Sequence, residues 1–383
     1  MNKFDIAVIG GGMVGAAIAL GFAKQGRQVV LVEGHAPQPY SEQQPMDIRV
    51  SAISHQSVQI LDQLGAWQSI QATRICPYRR LETWEHPECR VRFHSDELGL
   101  EQLGYIVENR LIQLGLWQQF EQYPNLTVIC PDSLASISVE DSVQINLNSG
   151  ATLSAEWLVG ADGANSKVRE QAGIGITAWD YRQHCMLINV ETEFAQQDIT
   201  WQQFYPSGPR SFLPLCGKQG SLVWYDSPKR IEQLSNMSHD QLREEILTHF
   251  PAELGDIKVL RHGSFPLTRR HAQQYVKNHC ILVGDSAHTI NPLAGQGVNL
   301  GFKDVEALLN VTAGESLSAD VLAAYERKRR SDNLLMQSGM DLFYKGFSND
   351  IRPLKLLRNA ALKIAENAGP VKKHVLKYAL GLK

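Results

Sequence analysis

The stretch Phe4-Asp5-Ile6-Ala7-Val8-Ile9-Gly10-Gly11-Gly12-Met13-Val14-Gly15 decides the fold. Its apolar run ends at Gly10 and reads as a buried strand. Gly10, Gly12 and Gly15 then have GxGxxG spacing. Gly10 permits a tight turn, Gly12 lets a pyrophosphate approach the backbone, and Gly15 lets helix and strand pack closely. Met13 and Val14 open a helix that runs to about Gln25, and Gly26 ends it. Phosphate oxygens would sit against the free N–H groups and positive dipole of that helix start. Gln28-Val29-Val30-Leu31-Val32-Glu33 is a second buried strand. Glu33 ends it with a carboxylate placed to accept hydrogen bonds from ribose hydroxyls. One βαβ unit therefore opens a parallel sheet. A glycine turn alone is compatible with a purely structural role. Strand, helix, second strand and acid in register predict dinucleotide binding, without choosing between FAD and NAD.

Two further glycine turns follow strands. Gly160-Ala161-Asp162-Gly163-Ala164-Asn165-Ser166-Lys167-Val168-Arg169 comes after Leu158-Val159. Gly284-Asp285-Ser286-Ala287-His288 comes after Cys280-Ile281-Leu282-Val283 and continues through Asn291-Pro292-Leu293-Ala294-Gly295-Gln296-Gly297-Val298-Asn299. With three such motifs in order, the sequence resembles the flavoprotein aromatic hydroxylases, the group that includes para-hydroxybenzoate hydroxylase. The resemblance covers nearly the whole chain. It implies FAD as cofactor, NAD(P)H as a transient reductant and O2 as co-substrate. Reduced flavin would form a C4a-hydroperoxide that an electron-rich phenol or quinol ring attacks. The cofactor does the hard chemistry, while the protein binds, orients and excludes water.

The same resemblance assigns roles to residues. Asp285, at a strand end, would bind a ribityl hydroxyl. Pro292 and Gly295 would bring backbone against the flavin ring. The helix starting near Gly297, with Val298 and Asn299, would point its positive end at the pyrimidine edge of the ring. Asp162 and Arg169 would lie near the pyrophosphate and take part in NAD(P)H use, or else pair simply to hold their turn. Arg49, in Asp47-Ile48-Arg49-Val50-Ser51, matches an arginine near the flavin. Arg110 matches a cofactor-contacting arginine at a helix start. Arg49 and Arg110 read equally well as surface salt bridges. Gln203, Arg210, Phe212, Pro214 and Tyr225 lie where the family builds its substrate pocket, with core or surface packing as the alternative.

The expected architecture is α/β. A Rossmann-like FAD-binding domain comes from discontinuous segments, 1–75, 100–180 and 280–320. An antiparallel β-sheet substrate domain, 76–99 and 181–279, is inserted, and 321–383 is a helical C-terminal region.

Closer in, the chain is similar to the proteobacterial ubiquinone-biosynthesis hydroxylases. Asp47–Ser54, Cys76-Pro77-Tyr78-Arg79-Arg80-Leu81-Glu82-Thr83-Trp84-Glu85, Phe265-Pro266-Leu267, Gly284–Gly301 and Gln337–Tyr344 carry that likeness. It looks most like the members that add the last ring hydroxyl, to 2-octaprenyl-3-methyl-6-methoxy-1,4-benzoquinol. The implied substrate is therefore a polyprenylated benzoquinol or phenol. The competing readings are another FAD-dependent oxidoreductase of this fold, of reductase or halogenase type, and a non-catalytic flavin-binding component of a biosynthetic complex. A Trp-x-Trp-x-x-Ile stretch, as in halogenases, is absent.

Composition bounds the rest. The chain has 383 residues, 43% hydrophobic and 20% charged, ordinary for a soluble enzyme. Its six cysteines show neither a CxxC pair nor zinc spacing, so they read as reduced, packed thiols and no metal is expected. The N-terminus reads as a strand rather than a targeting segment, and no 18-residue apolar run suggests a membrane span. The expectation is a cytoplasmic protein, with peripheral membrane attachment open and no nucleic-acid partner. Oligomeric state is not legible.

Net charge is −3, but residues 321–383 carry thirteen Lys and Arg against five Asp and Glu, leaving −11 on the remainder. Ile351, Leu354, Leu357, Ala361 and Ile364 recur there at helical spacing with Arg352, Lys355, Arg358 and Lys363 between them. Such a helix can lie on an anionic leaflet or dock on lipid-carrying partner proteins. Alternatively its apolar face packs on its own flavin domain.

Overall fold

The GxGxxG turn joins β1 (Lys3–Ile9) to α1 (Met13–Lys24) in the computed structural model, which describes residues 3–290 and 297–380. Ile6 to Ile9 are all buried, and so are Gly15 to Ala23 of α1. A strand and helix apolar on every side belong inside a layered α/β domain. β2 (Val29–Val32) runs parallel to β1, with Ile6 opposite Val29.

Next come β3 (Val50–Ser54), α2 (His55–Gln63), α3 (Trp67–Gln71), β4 (Ile75–Tyr78), β5 (Arg80–Trp84) and β6 (Arg90–His94). β7 (Gly104–Glu108), α4 (Asn109–Trp117), β8 (Leu126–Ile129), β9 (Leu134–Val139), β10 (Val143–Leu147), β11 (Thr152–Gly160) and α5 (Lys167–Gln171) follow. Long strands then dominate. They are β12 (Ile176–Thr192), β13 (Ile199–Gln203), β14 (Arg210–Pro214), β15 (Gln219–Asp226) and, after α6 (Pro228–Ser235) and α7 (His239–His249), β16 (Ile257–Ala272). After these come β17 (Val276–Lys277), β18 (Cys280–Leu282), β19 (His288–Thr289), α8 (Gly297–Thr312), α9 (Ala319–Phe347), α10 (Arg352–Glu366) and α11 (Pro370–Leu380).

Distant segments build one sheet in the order β17-β18-β11-β1-β2-β8, with β10 and β9 attached beside β11. β18, β11, β1, β2 and β8 are parallel neighbours, so the three glycine turns leave the same edge of that sheet. A second sheet, β19-β16-β12-β15-β14-β13-β5-β6, is antiparallel except where β13 meets β5. β3, β7 and β4 form a small third sheet. The expected α/β fold is present, but its borders shift. β4 pairs with β7, so residues 76–78 leave the inserted sheet. β12 starts in that sheet at Ile176, before the expected 181. β17 pairs with β18, so residues 276–277 join the first sheet.

The second sheet has two unlike faces because successive strand residues point to opposite sides. Trp84, Met186, Ile188, Trp201, Phe212, Leu222 and Trp224 fill a core completed by Ile231 and Leu234 of α6 and Leu242 and Ile246 of α7. The other face looks back toward the glycine turns. Among the described residues no helix is long and apolar enough to cross a membrane.

α8 and α9 are locked to the third turn by one fully buried carboxylate. Asp304 accepts from Gly284 N at 2.9 Å, from Arg329 Nε at 2.7 Å and from Asn333 Nδ2 at 3.3 Å, and it meets His288 Nε2. Burial alone would raise its pKa. His288 and Arg329 outweigh that and hold it at about 2, below its ordinary 3.8. The stabilisation is therefore complete above 3.8 and lost as pH falls through about 2. Asp304→Ala should cost about 3–5 kcal/mol, because it strands Arg329 without its buried partner. Urea unfolding should show that loss at neutral pH, and a flatter stability profile than wild type over the acid window.

Candidate functional site

Gly10 takes φ of 99°, and a Cβ on it would lie 2.4 Å from Ala161 O. A Cβ on Gly15 would lie 1.8 Å from Gly10 O. Both positions are closed to any side chain. Gly12 differs, for its Cβ would meet no atom within 4 Å and would project into open space. Gly12 is also the N-cap of α1 and offers no side-chain cap. The first N–H groups of α1 are thus left for a ligand, and Gly12, Met13 and Val14 line a cavity of about 1150 Å³. Glu33 accepts from Gly11 N at 2.5 Å and His35 N at 2.9 Å, so its carboxylate sits beside the turn and braces it. Trp117 Nε1 and Gln113 Nε2 both donate to Gly11 O at 2.8 Å. Neither was legible as a partner of the turn.

The second and third turns are tied together. Arg169, buried, donates to Ser286 O at 2.8 Å and to Ala164 O at 3.0 Å. Val283 N donates to Gly160 O at 3.1 Å, and Ser286 Oγ donates to the same oxygen. Asp162 does not hydrogen-bond Arg169. It accepts from Val168 N at 3.1 Å, and its other oxygen is buried with no partner. The alternative, a simple Asp–Arg brace of the turn, is not formed; Arg169 instead joins one turn to the next. Ala161, Gly163, Ala164 and Asn165 line the cavity, and Arg270 enters beside them, donating to Ala164 O and Asn165 Oδ1 at 2.6 Å each.

Asp285 opens into the cavity, yet it is deep enough in the fold that desolvation raises its carboxyl pKa. His288 and Arg49 pull it the other way. Arg49 lines the cavity too, with its guanidinium 5.7 Å from the Phe265 ring centre. Gly297 and Val298 line it at the start of α8. Asn299 pins that turn, accepting from Ser54 N at 3.0 Å and donating to Ala52 O at 2.8 Å. Pro292 and Gly295 fall outside the described residues. Arg110 lies off the cavity wall, where its Nε bonds Asp47 Oδ2 at 2.8 Å and its Nη1 bonds Gln38 O at 2.7 Å. It clamps the loop before Arg49 instead of facing the cavity.

Opposite the turns stands the inward face of the second sheet. Leu81 and Thr83, Thr200 and Gln202, Leu213, Val223 and Tyr225, Cys185 and Leu187, and Phe265 line the cavity strand by strand. Of the five pocket candidates only Tyr225 lies on that lining. Phe212 stacks on Trp201 in the opposite core, 5.7 Å between ring centres. Arg210 is buried between Tyr205 and Trp224 and paired with Asp226. Pro214 shares the phase of Arg210 and Phe212, so it too points away. Gln203 bonds Tyr205 Oη and Glu85 O outside the lining. For these four the packing alternative holds, since each side chain is buried off the cavity lining. Burial holds the Tyr225 hydroxyl well above its ordinary pKa, so it is a neutral donor. α9 closes the cavity with Leu335, Met336, Gly339, Met340 and Phe343. Their four-residue spacing was readable, but not their target.

Residues 3–334 match the family described as FAD binding domain. The chain belongs to that family. This FAD-binding protein is 53% identical to 3-demethoxyubiquinol 3-hydroxylase of Escherichia coli (strain K12), over 99% of this chain and 98% of that one. It is 33% identical to ubiquinone hydroxylase UbiL of Rhodospirillum rubrum, over 98% of this chain and 89% of the relative. The human mitochondrial ubiquinone biosynthesis monooxygenase COQ6 is 31% identical, over 98% and 92% of the two chains. Among solved structures, p-nitrophenol 4-monooxygenase PnpA of Pseudomonas putida DLL-E4 superposes with a TM-score of 0.81 at 20% identity, covering both chains fully. That likeness speaks for the fold.

The cofactor is FAD, and the site fits it. Space is kept beside Gly12, the α1 N–H groups are uncapped, and a carboxylate at Asp285 opens into the same cavity. Among the described residues no group of three His, Cys, Asp or Glu side chains could hold a metal ion. Gly12→Ala should change stability by less than about 0.5 kcal/mol, as expected where a new methyl meets no protein atom. Its flavin absorbance per protein should nonetheless fall. Gly15→Ala should lose flavin and about 1–3 kcal/mol of stability together, through overpacking.

Proposed function

We propose that this chain hydroxylates the ring of a polyprenylated benzoquinol in ubiquinone biosynthesis, using FAD, NAD(P)H and O2. One observation carries the reading. The three glycine turns face an apolar sheet surface across a single cavity, in a chain that matches a named ubiquinol hydroxylase from end to end.

Bound FAD would supply the redox chemistry with NAD(P)H and dioxygen; everything else falls to the protein. Gly12 and the first turn of α1 would hold the pyrophosphate, and Glu33 the ribose side of the turn. Asp285 and the start of α8 would hold the ribityl chain and the ring, where the positive end of α8 favours negative charge. Leu187, Leu213, Val223 and Phe265 form a dry wall for the substrate ring, which shields the reaction from water. Tyr225 offers a neutral hydroxyl to a ring oxygen. Arg270 and Arg49 give positive charge at the cavity, suited to a transient visit by the nicotinamide cofactor. A substrate with a polyprenyl tail comes from lipid, so work at a membrane surface or in a biosynthetic complex is part of this reading.

The test is NAD(P)H oxidation by the purified yellow protein, with and without a short-chain demethoxyubiquinol analogue. Tight coupling and a product heavier by one oxygen support the proposal. Oxidation with no oxygenated product would favour a reductase, and no oxidation at all a non-catalytic flavin carrier. Tyr225→Phe should lower kcat/KM by roughly 2–10-fold, the worth of one neutral hydrogen bond, with flavin content unchanged.

A further inference from the structure

α10 is docked with its polar side inward. Glu85, buried, receives Arg358 Nε at 2.8 Å and Asn359 Nδ2 at 2.6 Å, while Asn359 Oδ1 accepts from His86 N at 3.1 Å. Leu362 is the single buried residue of α10, and it packs with Val91, Phe204 and Phe347. The apolar stripe Leu354, Leu357, Ala361 and Ile364 faces outward. Leu357 is 67% exposed and Ile364 70%, with Leu356 at 74% beside them. Leaving such a stripe in water is unfavourable, and a contiguous exposed apolar patch marks an interaction surface.

Charge indicates what covers it. All five acids of residues 321–383 are already engaged. Glu326 takes the Tyr275 and Val276 N–H groups, and Asp332 pairs with Arg329. Asp341 pairs with Arg269, Asp350 with Lys355, and Glu366 with Lys372. Among the described residues Arg352, Lys363, Lys373 and Lys377 have no carboxylate partner and are exposed. Cations bordering an apolar stripe match an anionic bilayer. A two-fold contact with a second copy would bring this basic stripe against itself, which like charge disfavours.

The docked side of α10 is linked to the cavity wall. Phe343, in the cavity wall, lies 4.9 Å from the Phe204 ring and 4.5 Å from that of Phe347. Phe347 in turn lies beneath Arg358 of α10. Leu335 and Leu342 extend exposed apolar surface along α9.

We propose that α10 seats on an anionic bilayer through Leu354, Leu357, Ala361 and Ile364. A polyprenyl tail then stays in lipid and reaches the cavity along α9. The second clause rests on the function proposed above; the docking does not.

The experiment is flotation of full-length, FAD-loaded protein with vesicles of phosphatidylethanolamine and phosphatidylglycerol, and with phosphatidylcholine alone. Wild type should float with the anionic vesicles only. Leu357→Ser/Ile364→Ser should weaken that binding by roughly tenfold or more, since each buried aliphatic adds to partitioning. Arg352→Glu/Lys363→Glu should weaken it as well. Both variants should keep wild-type flavin content, thermal unfolding and turnover of the short-chain quinol, while turnover of a vesicle-embedded long-chain quinol drops. Wild type that stays with neither vesicle, or variants that float like wild type, overturns the docking. So does a stripe variant that turns a dimer into a monomer on gel filtration with flotation unaltered. Normal flotation without hydroxylation of either quinol leaves docking standing and refutes the catalytic reading.

Discussion

The Asp304 carboxylate carries the arrangement of the site. It holds Gly284 of the third turn, His288 on β19, and Arg329 and Asn333 on α9. A carboxylate with no exposure stays charged only where such donors surround it. The cost of desolvation is offset here by four donors from three segments, and the geometry of those segments becomes one geometry. Without it the turn bearing Asp285 would lose its register against Gly160, and α9 would lose its hold over the cavity mouth. Arg169 does similar work one layer away, crossing from the second turn to the Ser286 carbonyl.

What could be read in the sequence was what depends on neighbours. The first turn is a local object, and Gly10, Gly12 and Gly15 occupy the places their spacing implied. The other two turns were located by their position after apolar strands, and the parallel sheet explains why distant segments meet. Sheet phase was not legible. Strands such as Arg210–Pro214 are buried on both faces, so no alternation of polar and apolar residues tells one side from the other. The choice is made by α6 and α7, which cover one face and leave the other to the cavity. Asp304 and Arg329 were missed because they meet 25 residues apart across two helices, and nothing in either local pattern announces a buried pair.

The C-terminal helices illustrate the same limit from the other side. The amphipathic repeat of α10 was plain, but its orientation is set by Glu85, 273 residues before Arg358. A buried bidentate pair at that spot outweighs the tendency of leucines to turn inward, because an unpaired Glu85 beneath a leucine face would be costlier still. Orientation of an amphipathic helix is thus a tertiary property, whereas its periodicity is a primary one.

The alternating strands of the second sheet have a further consequence for how such a protein changes over time. Phe212 and Leu213 are adjacent, yet one belongs to the core beneath α7 and the other to the wall of the cavity. Replacements at every second residue can therefore reshape what the enzyme accepts while its thermal robustness stays nearly constant. An insertion or deletion of a single residue in β14 or β15 has no such freedom. It exchanges the two faces, delivering Phe212 or Trp224 to the cavity and Ser211 or Ser221 to the core in one event. Drift in this lineage should accordingly be rich in alternating point changes on these strands and poor in length variation within them.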